Sequence, residues 1–242
     1  MTLQLGIDEA GRGPVIGPLV MAGCITSSDI DVELKNLGVK DSKLILKNKR
    51  NILFSKVKEM VIDYEIIIVS PEEIDAALHN PDLNLNKLEA ITSAKIVSSL
   101  LQRNPSLKKD VVVMLDSPTN TPLPYISYVK RLLKDDSVDV KAEIKADATY
   151  PSVSAASILA KVTRDSCIDE MHSQIKHISK DVAIGSGYPS DPLTKAFTEE
   201  FYDKLDFVEG GFFRKSWKTY QNVFKKHNGI TNSSQKSLSQ FK

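Results

Sequence analysis

The sequence predicts an α/β fold, a five-stranded mixed sheet flanked by helices, with a C-terminal helical extension. Three observations carry that expectation. Apolar runs of strand length alternate with segments of helical periodicity, in the order β, β, α, β, α, β, α, β, α, before further C-terminal helices. The first two strands are joined by a Gly/Pro turn, so the sheet opens with an antiparallel hairpin. Three of the strands finish on carboxylates (Asp8 with Glu9, Asp116 and Asp147), and in open sheets ligands bind where strand ends meet loops.

The first strand is read from Leu3, Leu5 and Ile7, which alternate with Gln4, Gly6 and Asp8. Asp8 and Glu9 arrive where the apolar run stops. Adjacent strand residues point to opposite faces, so both carboxylates reach one site only if the strand ends or bends there. Gly11, Gly13 and Gly17 with Pro14 and Pro18 follow, and Arg12 sits between two of the glycines. A carboxylate pair beside a cation, on a loop that exposes its backbone, suits a site handling metal and phosphate together. The bland alternative is a hairpin turn with solvated charge. It accounts for the turn and leaves Asp-Glu at the strand end unexplained.

The second strand is expected from about Leu19 to Ile25, and 34–41 is read as a loop. Asp41 or Ser42 would cap a helix whose apolar positions are Leu46, Leu53 and Val57. Lys43 in that stretch is a surface lysine or a phosphate contact, and spacing does not separate the two. A strand follows over Val61–Val69, ended by Ser70-Pro71, which starts a short helix. Asn84–Leu101 is helical, with Leu88, Ile91, Ala94 and Val97 on one face.

Val111–Leu115 is a continuous apolar run, as expected of a buried strand, and it ends at Asp116. Tyr125–Leu133 reads as a helix. Val138–Ile144 reads as a strand leading to Asp147 and into a helix from Ser152 to about Lys176. The opening of that helix is small and apolar nearly all round, so it must be deeply packed. Gly185-Ser-Gly-Tyr-Pro189 is a loop in which Tyr188 either plugs a turn or offers a stacking surface for a base or sugar. Residues 193–206 form a helix with Phe197, Phe201 and Leu205 at helical spacing. Phe213, Trp217, Tyr220 and Phe224 mark a second amphipathic helix whose other positions are basic. The last fifteen residues, rich in Ser, Asn, Gln and Lys, are expected to be disordered.

Composition narrows the function classes. The chain has 242 residues, 41% hydrophobic and 26% charged, as in a soluble globular protein. No apolar run approaches the ~20 residues of a membrane span, and no signal peptide is read at the start. Cys24 and Cys167 have no metal-ligand spacing and read as buried thiols in a reducing cytoplasm. The four histidines form no zinc-like cluster. The net charge of +1 hides an asymmetry. Residues 210–242 carry seven Lys/Arg (Arg214, Lys215, Lys218, Lys225, Lys226, Lys236, Lys242) and no acid, leaving 25 of the 32 basic residues against all 31 acids elsewhere. A basic end on an acidic body suggests a polyanion partner.

Asp8, Glu9, Asp116 and Asp147, converging at strand ends, would repel strongly unless cations neutralised them. Mg²⁺ or Mn²⁺ suits such oxygen donors, and two ions about 4 Å apart are the standard device for phosphodiester cleavage. Asp8, first of the set and on the central strand, is the expected bridging ligand.

The chain resembles ribonuclease HII, the type 2 ribonuclease H family, whose fold is ribonuclease H-like. The matching stretches, in family order over about residues 3–220, are Gly6-Ile-Asp-Glu-Ala-Gly-Arg-Gly-Pro14, Asp41-Ser-Lys43, Leu115-Asp-Ser117, Lys145-Ala-Asp147, Ser154-Ala-Ala-Ser-Ile-Leu-Ala-Lys-Val-Thr-Arg-Asp165 and Gly185-Ser-Gly-Tyr-Pro-Ser-Asp191. The resemblance implies that Asp8, Glu9, Asp116 and Asp147 are the catalytic, metal-binding carboxylates. It implies that Gly11, Arg12 and Gly13 read the ribose 2′-hydroxyl, a group only RNA offers, and that Tyr188 stacks at an RNA–DNA junction. Lys43 and the basic C-terminal helix would hold phosphates. The implied activity is hydrolysis of RNA in RNA/DNA hybrids and cutting 5′ of single ribonucleotides in duplex DNA, leaving 5′-phosphate and 3′-hydroxyl ends, in ribonucleotide and RNA primer removal.

The related ribonuclease HIII family carries an extra N-terminal substrate-binding domain, which does not fit a first catalytic Asp at residue 8, and lacks the Gly-Arg-Gly loop. Two other classes compete. An integrase or junction resolvase would share strand-end carboxylates without the Gly-Arg-Gly and Gly-Tyr-Pro loops. A non-catalytic clamp-associated DNA-binding module would not need all four acids.

The tail residues Gln235, Leu238 and Phe241 are similar to a peptide that docks on the DNA sliding clamp, with Lys242 where the stronger form has a second aromatic. That peptide favours the single-chain, archaeal-type form, expected as a cytoplasmic monomer without membrane partners. The expected division is a catalytic domain over 1–192, a basic substrate-binding helical extension over 193–228, and a flexible tail over 229–242.

Overall fold

The computed structural model describes residues 3–39, 45–176, 182–205 and 208–229. In chain order the elements are strands β1 (Leu3–Ala10) and β2 (Leu19–Ser27), helices α1 (Ser28–Asn36) and α2 (Lys47–Met60), strand β3 (Asp63–Val69), helices α3 (Pro71–His79) and α4 (Leu85–Arg103), strand β4 (Val111–Asp116), helix α5 (Pro122–Leu133), strand β5 (Asp139–Glu143), and helices α6 (Pro151–Lys176), α7 (Pro192–Phe201) and α8 (Lys218–His227). The described residues pack as two compact units. The first takes the described residues of 3–12, 18–69 and 80–167, and the second those of 13–17, 70–79 and 168–229. The two units interleave along the chain: their boundary falls inside α6, and the second draws on two earlier segments.

The first unit is built on one five-stranded sheet in the order β3-β2-β1-β4-β5. β1 pairs antiparallel with β2, and β2 with β3, while β4 and β5 run parallel to β1. The mixed sheet and its opening hairpin are as predicted. β2 is buried along its whole length, which requires cover on both faces. One face is covered by α6 with α1 and α2. Val20, Ala22 and Cys24 pack there against Leu34, Leu53, Val57, Ala155, Ala156, Ile158 and Leu159. On the other face α4 lies close, since a Cβ on Gly23 would sit 2.5 Å from Ile96 Cγ2.

The small opening of α6 has a packing cause. A Cβ on Gly6 of β1 would lie 2.3 Å from the Ser152 carbonyl carbon and 2.4 Å from the Val153 nitrogen. Helix backbone therefore rests directly on strand backbone. The Ser152 hydroxyl donates to Gln4 Oε1 at 2.9 Å, and the Cys24 thiol donates to the Ser152 carbonyl at 3.3 Å. Polar groups trapped in this contact are thereby satisfied.

The second unit has an aromatic core. Phe197, Phe201, Phe212, Phe213 and Tyr220 pack with Val15, Ile16, Ile168, Met171 and Ile184. Phe197 stacks on Phe201 at 4.8 Å between ring centroids, as their i, i+4 spacing on α7 predicts. Ser70 and Glu73 form a reciprocal cap at the start of α3: Ser70 N–H donates to Glu73 Oε2 at 2.8 Å, and Glu73 N–H to Ser70 Oγ at 3.2 Å.

Several expectations are corrected. α1 was not expected; it buries only Leu34, so it carries almost no apolar periodicity, and its signal is the Ser27 cap with Asp29 and Asp31 in the first turn. α2 begins at Lys47, and Leu46 is 81% exposed ahead of it rather than part of the apolar face. Residues 40–44, with the expected caps Asp41 and Ser42, lie outside the described residues. β5 stops at Glu143, leaving Ile144 exposed. α7 ends at Phe201, with Leu205 buried beyond its end.

Phe213 and Trp217 precede α8 instead of lying on it. Asp75 of α3 takes the backbone N–H groups of Lys215 (2.6 Å) and Ser216 (2.9 Å), which holds that stretch out of helix. Among the described residues, no helix is long and apolar enough to cross a membrane.

Candidate active site

The sheet register brings the acids together. Ile7 of β1 pairs in parallel with Leu115 of β4, so the next residues on the two strands, Asp8 and Asp116, emerge side by side on one face. That face is the α6 side, because Gly6 and Ala10 of β1 pair with Cys24 and Val20, whose side chains contact α6. Glu9 points to the opposite, α4 face. β1 does not end at the acids, as expected from the sequence, but runs on to Ala10. What ends there is its ladder with β4. The β4 side of Asp8 and Glu9 is left open, and carboxylates from both faces of one strand reach a common point. Donor oxygens of Asp8, Glu9 and Asp116 all lie within 4.8 Å of one another.

Local structure holds each acid. The Glu9 N–H donates to Asp8 Oδ1 at 2.7 Å, and the buried Ser157 hydroxyl on α6 also hydrogen-bonds Asp8. The Ala146 N–H donates to Asp116 Oδ1 at 2.8 Å. That amide belongs to a 3₁₀ turn, Ala146–Ala148, entered through Lys145 in a left-handed conformation (φ 57°). The turn carries Asp147, which is buried and whose charge acts on Asp8, although it is not among the acids within 4.8 Å. Ser154 on α6 donates to the Asp147 carbonyl.

The electrostatics follow from burial and like charge. Burial, then the Asp116 carboxylate, push the Asp8 carboxyl from 3.8 up to about 7, with Asp147 adding to the rise and the hydrogen bonds opposing it. Glu9 is held well above its usual range by burial, then by Asp8, Glu89 and Asp116, with Arg12 pulling the other way. Clustered hard oxygen donors that disfavour their own ionisation are what a divalent cation would relieve. The donor set therefore fits Mg²⁺ or Mn²⁺, and nitrogen or sulfur donors are absent from it.

The predicted loop is held on either side of Arg12. Gly11 has φ 87°, and a Cβ on it would sit 2.2 Å from Arg164 Nε and 2.7 Å from the Pro18 carbonyl oxygen. Arg12 reaches α4, with Nε 2.8 Å from Glu89 Oε1 and Nη2 donating to Asn86 Oδ1 at 2.6 Å. In the second unit, the Gly13 carbonyl accepts from Trp217 Nε1 at 3.1 Å. A Cβ on Gly13 would touch the Tyr188 ring at 3.7 Å, an ordinary contact.

Tyr188 is 40% exposed. Its loop is fixed by Asp191, which accepts from the Ser186 N–H (2.7 Å) and hydroxyl (2.8 Å) and the Leu193 N–H (2.9 Å), and by the Val15 N–H, which donates to the Gly187 carbonyl at 2.8 Å. Arg214, fully buried, donates to the Gly17 carbonyl at 3.0 Å and stacks on Trp217. On the basic helix α8, Lys226 and His227 contact Glu199 of α7.

Asp8, Glu9 and Asp116 thus meet, with Asp147 beside them. Gly11 and Arg12 belong to the same unit, and Gly13 and Tyr188 adjoin each other in the second. Lys43, Gln235, Leu238 and Phe241 lie outside the described residues. Sequence reasoning missed Ser157, Asn86, Glu89, Arg164 and Trp217. A signal existed for Ser157, since a hydroxyl on an otherwise apolar helix face needs a partner.

Comparison with known proteins gives a consistent picture. The family model described as Ribonuclease HII matches residues 5–220. Ribonuclease HII of Methanobrevibacter smithii is 44% identical over 221 residues, covering 90% of this chain and 97% of the relative. Among solved structures, the ribonuclease H2 from Pyrococcus horikoshii superposes with a TM-score of 0.76 at 37% identity, over 94% of this chain and 99% of that one. The RNase HII of a PCNA:RNase HII complex from Archaeoglobus fulgidus does so with a TM-score of 0.74 at 33% identity, over 89% and 95%.

Proposed function

The chain belongs to the ribonuclease HII family, divalent-metal-dependent hydrolases with ribonuclease H activity on RNA/DNA, and from that premise we propose the finer chemistry of its site. The enzyme cuts the RNA strand of RNA/DNA hybrids and, in duplex DNA, cuts on the 5′ side of a single embedded ribonucleotide. Water attacks the phosphorus, the bond to the preceding 3′-oxygen breaks, and the products are a 3′-hydroxyl and a 5′-phosphate. The observation that carries this reading is the convergence of Asp8, Glu9 and Asp116 oxygens within 4.8 Å at the end of the β1–β4 ladder.

Asp8, Glu9, Asp116 and Asp147 would hold two Mg²⁺ or Mn²⁺ ions, which supply charge neutralisation for the attacking and leaving oxygens. The chain's own groups keep the acids aimed. The Ser157 hydroxyl and Glu9 amide orient Asp8, and the Ala146 amide orients Asp116. Gly11, Arg12 and Gly13 read the 2′-hydroxyl, for which exposed loop backbone is suited. Tyr188, ring-exposed on a braced loop, stacks on the nucleotide at the junction. Lys43 and the basic residues of 193–228 hold backbone phosphates, so that 1–192 carries the chemistry and 193–228 positions the duplex.

The tail, through Gln235, Leu238 and Phe241, docks on a sliding clamp. The Archaeoglobus fulgidus relative solved with PCNA supports that reading. Cys24, buried, and Cys167, half-buried, are not joined in a disulfide, which suits action in a reducing cytoplasm as a single chain.

The test is cleavage of a DNA duplex carrying one ribonucleotide, with Mg²⁺, Mn²⁺ or EDTA, beside an all-DNA duplex and an Asp116→Asn protein. Metal-dependent cutting 5′ of the ribonucleotide, lost in the variant, is expected. Equal cutting of the all-DNA duplex would refute 2′-hydroxyl recognition.

A further inference from the structure

Beside the carboxylate cluster lies an acid that the proposed chemistry does not use. Glu89 on α4 is 1% exposed. It faces the Glu9 side of β1 and adds a further negative charge next to Glu9. Keeping an anion there is costly. A buried ion pair seldom stabilises a fold more than apolar residues of the same volume would, and here the extra charge worsens the repulsion among the metal-binding acids. A role in packing alone does not account for it.

Its contact does. Arg12 Nε lies 2.8 Å from Glu89 Oε1, and Arg12 Nη2 donates to Asn86 Oδ1 at 2.6 Å. Asn86 and Glu89 are three residues apart on α4, so both project from one helix face. Two acceptors on two different nitrogens fix the plane of a guanidinium, which a lysine ammonium could not reproduce. The cation remains 39% exposed while its carboxylate partner is fully buried, so the pair is anchored from beneath and presents its outer side. The preceding residue is fixed as well, because Gly11 has no room for a Cβ against Arg164 Nε and the Pro18 carbonyl.

We infer that Glu89 and Asn86 are positioning residues: they hold the Arg12 guanidinium, and with it the Gly11–Arg12 end of the loop, in the orientation that meets the ribose and phosphate of the scissile nucleotide. This rests on the reading of that loop given above.

The experiment is a double-mutant cycle on the full chain. Arg12→Ala, Glu89→Ala and the double variant are compared for kcat and KM on a single-ribonucleotide duplex and on a long RNA/DNA hybrid, with thermal melts alongside. Glu89→Gln, nearly isosteric, guards against misfolding. Glu89→Ala should lower kcat/KM by about 10- to 100-fold, as loss of an orienting partner does elsewhere, and Glu89→Gln by less. In the Arg12→Ala background, Glu89→Ala should change kcat/KM by no more than about twofold. The ¹⁵N-correlated Nε–H signal of Arg12 should be sharp in the wild type and lost in Glu89→Ala.

A Glu89→Ala enzyme as active as wild type, effects that multiply in the double variant, or an unchanged Arg12 signal would each overturn the inference. If the wild type cuts and the effects multiply, the positioning role alone fails. If the wild type cuts neither substrate, the functional reading fails and takes the inference with it.

Discussion

Asp116→Asn should make the metal-free protein more stable while abolishing its activity. In the metal-free site, oxygens of Asp8, Glu9 and Asp116 lie within 4.8 Å of one another. Two unit charges at that distance repel by about 3 kcal/mol at an effective dielectric near 20. Asp116 is only partly buried, so water screens part of this, and about 1–3 kcal/mol is a fair range. Asparagine keeps the shape and retains an oxygen to accept from the Ala146 amide, so little is lost in exchange.

The sign with pH is fixed by Asp8. Its folded carboxyl titrates near 7 against 3.8 when unexposed to the site. Between those values the folded state holds a proton that the unfolded state has released, so stability falls as pH rises from about 4 to about 7. Removing the Asp116 charge should help most where Asp8 is ionised. In EDTA at pH 8, melting should rise by about 2–12 °C, from roughly 2–4 °C per kcal/mol for a chain of this size. At pH 5 the rise should be markedly smaller. A lower melting temperature at pH 8, or a rise at pH 5 as large as that at pH 8, would refute the repulsion account.

Three further outcomes follow from other parts of the molecule. Adding Mg²⁺ or Mn²⁺ should raise the melting temperature of the wild type more at pH 8 than at pH 5, and raise that of Asp116→Asn less, because protons compete with cations for the same oxygens; calorimetric melts with and without EDTA read this. Gly6→Ala should yield protein that fails to fold or melts well over 10 °C lower, since the new methyl meets α6 backbone at 2.3 Å with no flexible side chain to yield; circular dichroism melts check it. Arg103→Ala should cost about 1 kcal/mol near pH 7, discounted for exposure, because Arg103 ties together Asp63, Glu65 and the Tyr64 carbonyl. Against partial desolvation, hydrogen bonds to Arg103, joined at Asp63 by Asn104, hold Asp63 and Glu65 below their usual range, so this stability is present at neutral pH and should decline progressively as pH falls below about 4; urea titrations from pH 7 down to about 2.5 would show a constant difference if the account is wrong.

Much of the site was legible because strand periodicity and carboxylates are both written locally. Leu5 and Ile7 alternate, Val111–Leu115 is continuously apolar, and each run delivers an acid at a position that the sheet register then aligns. The small residues of α6 announced a close approach, and Gly6 against Ser152 is that approach. Features set by distant partners were not legible. Nothing near Glu89 in the chain distinguishes it from a surface glutamate; its burial depends on Arg12, 77 positions earlier. Phe213 and Trp217 keep helical spacing with Tyr220, yet Asp75, some 140 residues away, takes the backbone amides that a helix would have used. α1 escaped notice for the opposite reason. It buries one residue, so its only signals are capping and charge.

The alternation that seemed to forbid Asp8 and Glu9 from sharing a site explains how the site is supported. Because neighbouring strand residues face opposite ways, Asp8 is held from the α6 side by Ser157, while Glu9 faces the α4 side, where Glu89 of α4 and Arg12 of the loop after β1 act on its charge. A pair of acids two positions apart would have drawn on a single layer. Ending the β1–β4 ladder at Ile7–Leu115 while β1 continues to Ala10 removes the wall that would otherwise separate the two faces. Both helical layers therefore act on one cluster of charge, α6 through a hydrogen bond to Asp8 and α4 through the Glu89–Arg12 pair beside Glu9. On this geometry, substitutions at Ser157 and at Glu89 act through different helices on different groups, the Asp8 carboxylate and the Arg12 guanidinium. Their effects on activity should multiply, unlike those of Glu89 and Arg12, and a double-mutant cycle over Ser157→Ala and Glu89→Ala that departs from multiplicativity by more than about twofold would show that the two layers do not act independently.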